Sequence, residues 1–217
     1  MSDTQFQFGS KKDVLGPALA RNLANAVRDC KHARAIQMEE GSAYSTGQTF
    51  FVGASDAPTC LLEQMALDVW RHHSGTTLKS LSLEIDAAIS GVEWWTQVID
   101  ARDSIAWHFD RDYQLEEDEG RHVYPALATV TYLAMPGGAT VVCNFPGSSS
   151  SLDSQIQSQP LEEYVVSKPS VGKHFFFDGA MLHAAPSSLL EDDDHDDKGD
   201  EEESVDGEEE EEGEEED

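Results

Sequence analysis

Ala128-Thr129-Val130-Thr131-Tyr132-Leu133-Ala134, then Met135-Pro136-Gly137-Gly138-Ala139, then Thr140-Val141-Val142-Cys143-Asn144-Phe145 decides the fold class of this chain. Two short runs rich in β-branched and aromatic residues flank a proline-glycine break, the pattern of two strands joined by a turn. Five more runs of the same texture lie around them: Val92 to Ile99, Ser104 to Phe109, Glu163 to Ser167, Lys173 to Phe177 and Met181 to Ala185. Short strands at this spacing predict a sandwich or jelly-roll barrel. The segment Pro146 to Pro160, rich in Ser and Gln, reads as an exposed loop.

Upstream, apolar residues recur about four apart. Leu15, Leu19, Leu23 and Val27 recur four apart with Pro17 in the first turn, predicting a helix over 13–29. Leu62, Met65, Ala66, Val69 and Trp70 predict a second helix over 59–73, opened by Pro58. Between them, Thr49-Phe50-Phe51-Val52 reads as a short strand. The expected fold class is α+β: residues 1–91 form helices that buttress a β core at 92–190, within one domain.

The formal net charge of −29 is unevenly spread. From Glu191 to Asp217 there are 20 of the 43 acids and one base, Lys198, leaving 23 acids and 13 bases in the first 190 residues. Such a tail cannot bury enough apolar surface to offset the entropy of ordering, so 191–217 is expected to be disordered. The remaining bases do not cluster, which argues against direct nucleic-acid binding. Cys30, Cys60 and Cys143 are odd in number and lack CxxC spacing, so a reducing compartment fits best. The N-terminus lacks the apolar core of a signal peptide, and no apolar run approaches the roughly 18 residues of a membrane span. An intracellular, cytoplasmic protein is expected.

Trp107-His108-Phe109-Asp110 sets a His and an Asp two apart on a predicted strand, so both project from one face. His183 lies on another predicted strand. Two imidazoles and one carboxylate on one face of a metal form a facial triad, which leaves positions open for a chelating cosubstrate and dioxygen. An HxD tripeptide alone is common in unrelated proteins; the order of the surrounding strands gives it weight. His174 reads as a strand-surface histidine, and His72-His73 as a helix-end pair favoured by the dipole. Trp94, Trp95 and Trp107 read first as core aromatics that could also line a pocket. His122 is a loop histidine that reads first as solvated and could also overhang the site.

Residues 93–186 resemble the 2-oxoglutarate- and Fe(II)-dependent dioxygenases, near their prolyl-4-hydroxylase-like branch. The motifs carrying the resemblance are Glu93-Trp94-Trp95, Trp107-His108-Phe109-Asp110, Thr129-Val130-Thr131-Tyr132-Leu133, Gly137-Gly138-Ala139-Thr140 and Phe177-Asp178-Gly179-Ala180-Met181-Leu182-His183. The resemblance implies a double-stranded β-helix (jelly-roll) core with N-terminal buttressing helices. It also implies His108, Asp110 and His183 as Fe(II) ligands, Tyr132 as a contact of 2-oxoglutarate, and ascorbate as a further cofactor. The implied reaction couples oxidative decarboxylation of 2-oxoglutarate to oxidation of a C–H bond in a protein or small-molecule substrate.

One part of the family pattern is missing. An eighth strand after the distal histidine normally supplies the Arg or Lys that pairs with the far carboxylate of 2-oxoglutarate, whereas here Ala184 to Leu190 lead into the acidic run. Three explanations stand: the sequence is an incomplete gene product, the expectation favoured here; the base comes from another strand; or turnover has been lost. A reading from another class stands beside the enzyme, a non-catalytic interaction protein whose acidic tail binds basic partners such as histones or ribosomal proteins.

Overall fold

A computed structural model describes residues 8–12, 14, 16–39, 49–80, 85–86, 88–99, 104–143 and 163–187. The loop 146–160 and the acidic run 191–217 lie outside the described residues. The elements are β1 (Phe8–Lys12), α1 (Gly16–Glu39), β2 (Phe50–Gly53), α2 (Leu61–Gly75), α3 (Thr77–Ser80), β3 (Gly91–Trp94), β4 (Ile105–His108), α4 (Tyr113–Glu119), β5 (Ala128–Thr131), β6 (Thr140–Cys143), β7 (Tyr164–Ser167), β8 (Lys173–Phe177) and β9 (Leu182–Ala185). The class is α+β and every strand pair is antiparallel.

All seven strands expected after residue 91 are present, each four or five residues long. The run Val92 to Ile99 is strand only to Trp94. Beyond it the chain leaves the ladder with β2, and Thr96 Oγ1 donates to Cys30 O at 3.0 Å instead. The first helix continues past residue 29 to Glu39, because 30–39 contain strong helix formers and neither Gly nor Pro. The second begins at Leu61, where Glu63 accepts from the Thr59 backbone N–H at 2.6 Å and from the Thr59 hydroxyl at 2.8 Å. Three elements have no counterpart among the expectations: β1, α3 and α4. Of these, α4 had legible ends, since Asp112 caps it by accepting from Leu115 N at 2.9 Å and Gly120 stops it at φ 68°.

The strands form a three-stranded sheet ordered β1-β8-β5, a four-stranded sheet ordered β4-β9-β6-β7 and the pair β2-β3. Both larger sheets are open: of the sandwich or jelly-roll barrel expected from the sequence, antiparallel sheets are present and no sheet closes or curls among the described residues. No further strand pairs the outer edge of β5 there. The two larger sheets meet through Ala128, Tyr132, Phe175 and Phe177 on one side and Val142 and Val165 on the other, with Met181 between. Fully burying each such aromatic side chain contributes about 1.5–3 kcal/mol. Phe175 and Phe177 face this core, so the pleat turns His174 and Phe176 to the opposite face, where both rings lie against His73 of α2. That face is the seam with the helical layer.

Candidate metal centre

His108 closes β4 and His183 sits directly opposite it on β9, their ring centroids 4.2 Å apart. An irregularity in the β4–β9 register between Ile105 and His108 bends the strand end locally, as bulges near functional sites do. Two residues on, Asp110 brings Oδ1 to 3.7 Å from His108 Nε2 and 3.5 Å from His183 Nε2. One ligand atom from each of the three residues lies within 4.8 Å of the others. Among the described residues this is the one grouping of His, Cys, Asp and Glu with such spacing.

The outer nitrogens orient the inner ones. His108 Nδ1 pairs with Ala106 O at 2.8 Å and His183 Nδ1 with Met181 O at 3.1 Å. A backbone carbonyl only accepts, so each Nδ1 carries a proton, and Nε2 is the nitrogen of each ring that faces Asp110. Burial, then the neighbouring His183, lower the pKa of His108, against the raising effects of the Ala106 carbonyl and Asp110. The neutral imidazole this favours is the form that ligates metal. Two imidazole nitrogens and a carboxylate oxygen within 4.8 Å of one another fit a metal ion.

Packing holds the arrangement. Phe177 lies 5.0 Å from the His183 ring, and the turn leading into β9 is closed by Met181 N donating to Asp178 O at 3.0 Å and Ala180 N donating to Asp178 Oδ1 at 2.9 Å. Gly179 is required there: a Cβ would stand 1.9 Å from Pro125 O. After Asp110, Arg111 Nε meets Glu116 Oε2 at 2.8 Å and its guanidinium lies 4.8 Å over the Tyr113 ring, tying α4 to the segment that carries Asp110.

The other candidates fall elsewhere. Tyr132 is buried on the inner face of the sandwich, its hydroxyl within 2.9 Å of Thr140 Oγ1 and 2.8 Å of Ser167 O. His174, expected at a strand surface, is fully buried and bonded to His73 at 2.8 Å, because the helical layer covers that side of β8. His73 is correspondingly neutral and internal rather than a charged helix end, burial first and then His72 and Lys11 holding its pKa down at about 4. Trp94 stacks on Phe50, Trp95 is exposed, and Trp107 packs with Phe109, Cys143 and Leu182. His122 Nδ1 lies 3.4 Å from Glu116, and its pairing is with that helix. Burial pushes the thiols of Cys30, helped by Asp29, and of Cys143 up to about 11, away from the thiolate that binds metal. No described helix is long and apolar enough to cross a membrane.

No protein-family model matches the chain, and no curated protein matches it.

Proposed function

We propose that the chain is an Fe(II)- and 2-oxoglutarate-dependent oxygenase in which His108, Asp110 and His183 hold the metal. The observation that carries this reading is the convergence of His108 Nε2 and His183 Nε2 from two adjacent strands with Asp110 Oδ1 from the segment after β4, both histidines being oriented by backbone carbonyls. Three protein ligands leave positions free, the requirement for a chelating cosubstrate and dioxygen.

The strand pairing supports the double-stranded β-helix. Pairs β6–β7, β5–β8 and β4–β9 nest around one another, and successive pairs alternate between the two sheets. That is one long hairpin wound across both layers.

When bound, iron, 2-oxoglutarate and dioxygen would supply the oxidising chemistry, one oxygen atom going to succinate, released with carbon dioxide, and the other to the substrate as a hydroxyl. The chain supplies geometry and dryness. Asp110 contributes the negative charge that balances a divalent ion, the two imidazoles add neutral donors, and Phe177 and Val142 wall the inner side against water. The substrate is a C–H bond of a protein side chain or a small molecule, and ascorbate serves as reductant for the metal.

The test is anaerobic titration calorimetry of the full chain with Fe(II) or Mn(II), followed by 2-oxoglutarate. One metal per chain, and 2-oxoglutarate binding only afterwards, is the expected result. Absence of metal uptake overturns the reading.

A further inference from the structure

We propose that Glu116 is a positioning residue of the metal centre: its carboxylate, set between Arg111 and His122, locks the loop that follows β4 and thereby holds Asp110 opposite the two histidines. This rests on the metal reading above, and it gives α4 a part in metal affinity.

Asp110 is the ligand least supported by the sheet. His183 lies within β9, between β4 and β6, and His108 is the last residue of β4, whereas Asp110 stands beyond the strand end. A side chain on such a segment keeps its place only if its neighbours are tied. Before it, Phe109 is buried with Cys143 and Leu182, and its carbonyl accepts from the Tyr113 hydroxyl at 3.0 Å. After it, the Arg111 side chain is only 10% exposed, and its guanidinium lies 4.8 Å from the centre of the same Tyr113 ring.

From Asp112 to Val123 the chain makes an excursion whose ends meet, Asp112 N donating to Val123 O at 3.0 Å. The helix α4 fills it, opened by Asp112 Oδ1 accepting from Leu115 N at 2.9 Å and closed by Gly120 N donating to Glu116 O at 2.8 Å. Compact loops with adjoining ends are packed by their own side chains. Here the bridging side chain is Glu116. Its Oε2 meets Arg111 Nε at 2.8 Å where the chain enters the loop, and its Oε1 lies 3.4 Å from His122 Nδ1 where the chain leaves it. Beyond His122, the Tyr124 ring stands edge-on to Phe109, 5.7 Å between centroids, so the exit of the loop presses on the residue preceding Asp110.

Burial of Arg111 makes the clamp matter. The Nε–Oε2 approach is an ion pair without the alignment of a hydrogen bond, and Nη1 is buried with no hydrogen-bond partner among the described residues. Glu116 therefore supplies charge compensation to a guanidinium that water does not reach. A buried charge that loses its partner is strongly unfavourable and moves toward solvent. Arg111 shares a peptide bond with Asp110, so turning it outward drags the carboxylate away from His108 and His183. Partners that orient a metal ligand in this way typically contribute about ten- to a hundredfold in metal affinity.

The experiment measures Mn(II) affinity by calorimetry on the full chain, under conditions where circular dichroism and urea titration show wild type and variants fully folded. Glu116→Gln, which keeps the shape and removes the charge, is expected to weaken Mn(II) binding by about ten- to a hundredfold. Arg111→Met should do the same, and the double variant should bind no worse than the weaker single, because the two side chains act as one unit. Additive losses overturn the clamp. The visible absorption of the Co(II)-loaded Glu116→Gln chain should differ from wild type, since the ligand field reports where Asp110 stands; a superimposable spectrum overturns the assignment. A lower urea midpoint with unchanged Mn(II) affinity marks Glu116 as structural, overturning the proposal and leaving the metal reading standing. If wild type takes up no Mn(II), both readings fall. Should Glu116→Gln not fold, Glu116→Asp decides, its carboxylate being one methylene too short to span both partners: a severalfold loss of affinity supports the proposal, and none overturns it.

Discussion

His73 Nε2 on α2 and His174 Nε2 on β8 lie 2.8 Å apart in the seam between the helical layer and the three-stranded sheet. Their outer nitrogens are met by Thr77 Oγ1 at 2.9 Å and Thr131 Oγ1 at 2.8 Å, so four elements are joined through one chain of hydrogen bonds. Between two facing Nε2 atoms one must donate and the other accept, which a neutral pair satisfies and a doubly protonated pair cannot.

This arrangement makes the fold acid-sensitive. Burial, followed by the neighbouring positive charges, holds the pKa of His73 at about 4 and that of His174 at about 3, below the free value of 6.5. As pH falls below about 6.5 the unfolded chain takes up protons that the folded chain refuses, so stability is greatest above that pH and declines toward about pH 4. Urea midpoints should drop between pH 7.5 and pH 5. The double variant His73→Leu, His174→Phe should flatten that dependence; an unchanged slope would assign the effect to other groups.

Asp110 is the only charge donor of the triad. Asp110→Ala should weaken Mn(II) binding by more than the roughly 10- to 100-fold typical of losing an outer-shell partner, and abolish Fe(II)-dependent succinate formation. Its far-ultraviolet circular dichroism should match wild type, because the residue lies between elements rather than in the core. Undiminished succinate formation would remove Asp110 from the site.

Gly179→Ala should destabilise the chain by at least the roughly 1–3 kcal/mol that overpacking costs, since its Cβ would meet the Pro125 carbonyl. The displaced turn feeds β9, so metal affinity should fall together with the denaturation midpoint. A variant as stable as wild type would mean that Pro125 yields without strain.

Phe177 is 1% exposed and touches both Phe175 and His183. Truncation to Ala should cost about 3–5 kcal/mol by chemical denaturation. Phe177→Leu should cost less and report more on the site, loosening His183 and lowering metal affinity while the fold persists. Equal metal affinity in Phe177→Leu would show that the carbonyl of Met181 alone holds that imidazole.

Local chemistry made much of this protein readable from its residues. The β-rich runs after residue 91 named all seven strands, and the HxD motif named His108 and Asp110, but β4 ends at His108 and Asp110 lies just beyond it, so strand alternation is not what brings the two together. What the residues could not carry was pairing. Phe8–Lys12 has no amphipathic signature, and it is a strand only because the edge of β8 accepts it. His174 looked like a surface histidine because one face of β8 had no recognisable cover until α2 was laid on it with His73 at the contact. In the same way Thr140 and Ser167 are unremarkable as letters, and only the β6–β7 register sets them opposite each other with Tyr132 bonded to both. Sequence alone determined which residues alternate and which types could ligate a metal; the tertiary structure decided which of them face each other, since facing depends on contacts far apart in the chain.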